Sequence, residues 1–179
     1  MAQILQKPTR MIRIGVTGPE SCGKSTMAEL LASKLSCPFV SEYARNYLSQ
    51  LNRSYRQEDL DEILKGQLEQ WDALSEEPLV IYDTEILVLK IWSEFKFGSY
   101  TELIMNEWSK QTIDLYLLCA PDIPYEEDAL RENPNDRETL FELYENELKQ
   151  INANYIIIEG DRAIQLEEIT SLIKEKICS

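Results

Sequence analysis

The segment GVTGPESCGKST, residues 15 to 26, decides how this chain is read. It holds Gly15, Gly18 and Gly23, three of only six glycines among 179 residues. Glycine serves where the backbone must take positive φ or pass very close to another group. Gly18 and Gly23 bracket Pro19, Glu20, Ser21 and Cys22, and Lys24 and Ser25 follow, giving G-x-x-x-x-G-K-S, the phosphate-loop pattern. In a loop of this spacing, successive backbone N–H groups curl into an anion-binding nest. The helix that follows directs its N-terminal partial charge at the same point. Lys24 is placed to reach the β- and γ-phosphates of a nucleotide, and the Ser25 hydroxyl to coordinate Mg²⁺. The expected nucleotide-binding set is Gly18, Glu20, Ser21, Cys22, Gly23, Lys24, Ser25 and Thr26.

The flanks support a true phosphate loop over a glycine-rich turn. "MIRIGVT" before it is apolar and β-branched, as a buried strand is. After it, Met27, Leu30, Leu31 and Leu35 recur at helical spacing. Cys22 inside the loop has two readings. Loop N–H groups and Lys24 favour its thiolate, in which case alkylation should reach it before the other three cysteines; or it is a small residue that fits a tight turn.

Composition limits the rest. Apolar residues make up 44% and charged residues 28%, an ordinary globular balance sufficient for one domain over residues 1–179. The net charge of −14 repels nucleic acid backbones and anionic membranes, so neither is an expected partner. No apolar run approaches a membrane span, and "MAQILQKPTR" lacks the apolar centre of a signal peptide. Cys22, Cys37, Cys119 and Cys178 are scattered without a C-x-x-C pair, which fits reduced thiols and a cytoplasmic location. The chain has no histidine, which excludes Ser-His and Cys-His mechanisms and the usual zinc sites. The proton acceptor is then a carboxylate, lysine, tyrosine or cysteine, and the expected metal is Mg²⁺ on oxygen ligands.

Five apolar runs read as strands: "MIRIGVTG", "CPFVSEY", "PLVIYDTE", "IDLYLLCAP" and "NYIIIEGD". They alternate with helical segments, which implies βαβ units, a parallel sheet and strands buried on both faces. Ligands of such sheets bind beyond the carboxyl ends of the strands. Asp83 ends the third strand as in a Walker B pattern, either holding Mg²⁺ or taking a proton, or else capping a helix. Glu42 and Arg45 follow the second strand, as a proton acceptor and its neighbour or as an exposed i, i+3 pair. Tyr43 and Tyr47 stack on a substrate ring or belong to the core. Gln67 and Trp71 line a substrate pocket or simply pack. Residues 121–137, with three prolines, read as a mobile lid. Arg131 and Arg137 within it close over phosphates or pair with nearby glutamates.

The D-x-x-G and N-K-x-D motifs of GTPases are absent, as is the glycine-rich signature of ABC-type ATPases, and an AAA+ motor would normally be larger. A small-molecule kinase remains. The run "GPESCGKST", "SEYARNYL", "YDTE", "DALRENPNDRETLF" resembles, in order, the ribosylnicotinamide kinase domain of the NadR family, over about residues 12–177. That resemblance implies an α/β, three-layer P-loop kinase-like fold with a five-stranded parallel sheet and a lid. It also implies ATP and Mg²⁺ as cofactors and phosphorylation of the ribose 5′-hydroxyl of N-ribosylnicotinamide. Lys24, Asp83, Glu42 and Arg131 are then the catalytic set, with Arg137 on the nucleotide. Glu42, Tyr43, Arg45, Gln67 and Asp83 lie on the substrate, and Ser25 and Asp83 on the metal. Full-length members also carry an adenylyltransferase domain with H-x-G-H, which this histidine-free chain lacks, so a free-standing kinase is expected. The competing readings are a kinase for another nucleoside-like alcohol, or an ATP- or GTP-binding regulatory NTPase.

Overall fold

The computed structural model describes residues 11–110, 112–128 and 131–177. The opening segment, Cys178 and residues 129 and 130 of the lid stretch lie outside the described residues.

The five apolar runs form β1 (Ile12–Thr17), β2 (Phe39–Val40), β3 (Leu79–Asp83), β4 (Leu115–Cys119) and β5 (Tyr155–Ile158). They make one sheet of order β2-β3-β1-β4-β5, with every neighbouring pair parallel. Between them run α1 (Lys24–Leu35), α2 (Tyr43–Ser49), α3 (Gln57–Asp72), α4 (Ile86–Phe97), α5 (Glu102–Trp108) and α6 (Arg137–Gln150), with α7 (Arg162–Ile177) after β5. Among the described residues no helix is long and apolar enough to cross a membrane.

Strand side chains alternate between two apolar layers, as a period of two requires. Ile14, Val16, Leu79, Ile81, Leu115 and Leu117 pack with α1 and α7. Val80, Tyr82, Tyr116 and Leu118 pack with residues of α2 to α6. The fold is therefore the expected three-layer α/β arrangement. The two central flanking strands, β3 and β4, are buried throughout, whereas β5 at the edge is only partly covered. In α1 the inward face is Met27, Ala28, Leu31 and Ala32, so Leu30 turns away and is 48% exposed, contrary to the periodic reading.

Register places the chemistry. Val16 pairs with Asp83, so the carboxylate that ends β3 stands beside the residue that leads into the phosphate loop. Gly15 explains itself here rather than in the loop. A Cβ at position 15 would lie 2.8 Å from Cγ of Glu85 and 3.3 Å from Cγ2 of Ile113. The absent side chain makes room for a buried carboxylate at the start of α4. Gly15→Ala should therefore destabilise the fold by about 1–3 kcal/mol through overpacking. Urea denaturation should show a lower midpoint with an unchanged slope.

Candidate functional site

The loop between β1 and α1 takes positive φ at Gly18 (132°), Ser21 (52°) and Gly23 (85°). Gly18 is also pressed against β4: a Cβ there would meet the Cys119 carbonyl at 2.6 Å. Gly23 is the N-cap of α1, and its carbonyl accepts from Met27 N at 3.0 Å. A loop that points its N–H groups inward points carbonyls outward, and those need donors. Arg137, the first residue of α6, provides several. Its Nε donates to Glu20 O at 3.2 Å and its Nη2 to Ser21 O at 2.8 Å, while both Nη atoms donate to Ile123 O at 3.0 Å. Arg137, expected on the nucleotide, has its guanidinium on backbone carbonyls of the loop and of Ile123.

Lys24 donates to Pro19 O at 2.6 Å. Burial works against its charge, and Cys22, Glu42 and Asp83 outweigh it, holding Lys24 above the ordinary lysine range. Asp83 is buried, with the Ser25 hydroxyl beside its carboxylate. Burial raises its carboxyl above the usual range against the pull of Ser25 and Lys24. Its Oδ1 is buried without a partner. Asp83 is not a helix cap. That place belongs to Glu85, whose Oε2 accepts from Leu87 N at 2.7 Å.

The corner after Asp83 is held under strain. Thr84, a β-branched residue, sits at φ 72°. Its N–H donates to Val16 O at 3.1 Å, and its carbonyl accepts from Gln67 Nε2 at 2.9 Å. Gln67 on α3 is buried and does not line the cavity; it fixes the turn that aims Asp83. Tyr43 likewise packs against α3, where a Cβ at Gly66 would lie 2.2 Å from its Cζ. Tyr47 donates to Asp59 at 3.0 Å and Trp71 tilts against Tyr82, so for these two the packing alternative holds.

Glu42 immediately precedes α2 with its side chain 15% exposed. Burial raises its carboxyl, with Lys24 opposing and Asp83 adding to the rise. Arg45 Nε lies 3.6 Å from Glu42, but its closer partner is Asp128 in the lid stretch, at 2.7 Å from Nη1. That stretch is fastened to the loop. Ser21 Oγ accepts from Glu126 N at 2.9 Å and from Arg131 Nη1 at 3.1 Å. Glu20 Oε1 accepts from Glu132 N at 3.1 Å, Asn133 N at 3.0 Å and Asn133 Nδ2 at 2.7 Å.

These groups surround a cavity of about 200 Å³, lined by Lys24, Ser25, Glu42, Arg45 and Arg131 among others. A second cavity of about 330 Å³ shares Glu20, Leu48 and Trp92 with the first. Of the residues singled out in the sequence, Lys24, Ser25 and Glu42 line the first cavity, and Asp83 stands beside Ser25. Nothing in the sequence singles out Trp92 or the second chamber, whose aromatic residues Tyr55, Trp92 and Phe95 come from the segment before α3 and from α4. The group after β5 does not reach the cavity: Arg162 pairs with Asp122, and Gly160 N donates to Asp122 at 2.6 Å, tying the ends of β4 and β5.

Among the described residues no three His, Cys, Asp or Glu side chains gather to hold a metal. The unpaired Oδ1 of Asp83 beside the Ser25 hydroxyl gives a cation two protein oxygens, which suits Mg²⁺, an ion that completes its shell with water and phosphate.

Residues 13–163 match the family described as AAA domain. No curated protein matches the chain in sequence. A NadR protein in complex with NR superposes with a TM-score of 0.75 at 23% identity, covering 94% of this chain and 52% of that one. A NadR protein in complex with NAD and AMP-PNP gives 0.74 at 20%, covering 94% and 50%. The thymidylate kinase of Ehrlichia chaffeensis gives 0.68 at 14%, covering 92% and 99%. This chain thus spans about half the length of the two NadR chains. At such identities the likeness speaks for the fold.

Cys22 departs from its expected exposure. It is 1% exposed, its Sγ donates to Pro19 O at 2.9 Å, and the buried Cys119 lies beside it. Burial opposes its ionisation, yet Cys119, Lys24 and Arg137 together hold it below an ordinary thiol. Reactivity of this kind is of no use to a reagent that cannot enter. Brief alkylation of the folded protein followed by peptide mapping should find Cys22 and Cys119 unmodified, with both labelled once denaturant is added.

Proposed function

The chain belongs to the AAA domain family, and from that premise we propose that it is an ATP-dependent small-molecule kinase. The acceptor we propose is N-ribosylnicotinamide, phosphorylated on its ribose 5′-hydroxyl to give nicotinamide mononucleotide. The observation that carries this reading is convergence on one cavity. The phosphate loop, Lys24, Ser25, Glu42 and the lid's Arg131 line it, and Asp83 stands beside Ser25. A chamber with aromatic walls opens beside them. A hydrolytic switch has no need of the chamber; a phosphoryl acceptor does. The likeness to a NadR protein in complex with NR supports the choice of acceptor.

In this reading residues 1–179 act as one kinase-like domain with a lid over 121–137. The loop N–H groups cradle the phosphates of ATP. Lys24 and Arg131 draw off charge as the γ-phosphoryl passes to the acceptor oxygen and the bond to the β-phosphate oxygen breaks. Ser25 and Asp83 would hold Mg²⁺, which supplies charge neutralisation on the phosphate oxygens. Glu42 or Asp83 receives the hydroxyl proton; burial lifts both carboxyls, which makes either a better base than a free carboxylate. A loose transition state asks little of that base, so holding the hydroxyl in line matters more than removing its proton.

Lys24→Ala should lower turnover by about 10²-fold or more with the fold intact, read by ADP release and thermal melting. N-ribosylnicotinamide should stimulate ADP formation and yield a phosphorylated riboside by mass spectrometry. Phosphorylation of a different nucleoside alone would keep the kinase and replace the substrate. ADP release indifferent to every small alcohol and raised by a protein partner would replace the kinase with a regulatory NTPase.

A further inference from the structure

We infer that the chamber beside the phosphate loop receives the acceptor's ring, and that Lys96 sets which charge of ring it accepts; this rests on the kinase reading above. The two cavities share Glu20, Leu48 and Trp92 in their walls. The second chamber is therefore the space adjoining the Glu42 cavity in which an acceptor's remaining bulk would lie. The apolar lining there is Leu48, Tyr55, Trp92, Phe95 and Leu140, enough flat surface for an aromatic ring.

The polar lining is unusual in holding a cation on a ring face. Lys96 Nζ stands 3.6 Å from the centroid of Tyr55 and 2.8 Å from each carboxylate oxygen of Glu132. The Tyr55 hydroxyl donates to the same carboxylate at 2.9 Å. Ring face and carboxylate thus form a cation seat, and the protein's own ammonium occupies it. A second carboxylate, Glu20, also lines the chamber, and its Oε2 is buried without a partner. With Lys96 in place the chamber carries two carboxylates against one ammonium.

Lys96 has a flexible four-carbon stem and a side chain 30% exposed, so its head can withdraw into water. A ring that carries positive charge, such as an N-ribosylated pyridinium, replaces the ammonium on Tyr55 and keeps Glu132 paired. A neutral base cannot, because displacing Lys96 would leave Glu132 uncompensated, and it must fit beside the ammonium instead. Lys96 is thus an internal competitor of a cationic ring and a weak influence on a neutral one.

Calorimetric titration without ATP separates this from the catalytic reading, using N-ribosylnicotinamide and the neutral nucleoside inosine as probes. Lys96→Met should tighten the cationic riboside by about fivefold to tenfold, the scale of one partly exposed ion pair and cation–π contact. It should leave inosine within about twofold. Lys96→Arg, which keeps the cation, should behave as the parent, and Glu132→Gln should weaken the cationic riboside while sparing inosine. Thermal melts confirm that each variant is folded. An unchanged or weakened cationic riboside in Lys96→Met, an equal change for both probes, or no binding of that riboside to any variant would overturn the inference. A riboside that binds as described but yields no phosphorylated product with ATP and Mg²⁺ keeps the ring site and sinks the kinase. A riboside that is phosphorylated with the same KM by parent and Lys96→Met does the reverse.

Discussion

Turning the N–H groups of one short loop toward a common point leaves the loop's carbonyls facing outward, and much of this structure exists to satisfy them. Lys24 bonds back to Pro19. Arg137 reaches in from α6 to Glu20 and Ser21, and in the same stroke takes Ile123 at the start of the lid stretch. An unpaired buried carbonyl costs more than a made hydrogen bond gains. The loop's demand therefore draws α6 and the lid stretch onto it across more than a hundred residues of sequence. The nest and the cover over it are two consequences of one backbone constraint.

The two candidate acids are positioned by the same helix. α3 holds the Thr84 carbonyl through Gln67, which fixes the corner after Asp83. It also packs Tyr43 against Gly66, and Asp59 accepts from Tyr47 at its first turn. Both tyrosines belong to α2, the helix that Glu42 precedes. A displacement of α3 would move both carboxylates together. Precision of this kind matters most where a loose transition state leaves catalysis to positioning.

Charge in the first cavity is mixed. The chain is strongly acidic overall, and there Lys24, Arg45 and Arg131 face Glu20, Glu42 and Glu126. Long-range attraction therefore contributes nothing to nucleotide capture, and affinity must come from short contacts in a partly dry site, where they are strong. The adjoining chamber keeps the acidic sign, with Glu20 and Glu132 on its wall.

What the chain alone determined was whatever depends on near neighbours in sequence. Five apolar runs spaced by helical segments are sufficient for five parallel strands, and G-x-x-x-x-G-K-S between a strand and a helix is sufficient for a phosphate loop. Asp83 and Glu42 were legible because residues that end buried strands face a common rim in such sheets. Other features needed the tertiary structure, because each depends on a partner distant in sequence. Gly15 is a glycine on account of Glu85, Arg137 donates to the loop backbone, and Gln67 donates to the Thr84 carbonyl. Cys22 has the depressed thiol its neighbours suggested and none of the exposure, since packing against Cys119 closes it off. The second chamber gathers residues from α2, α4, α6 and the segments between them, and no periodicity within any one of these segments marks the side that faces it.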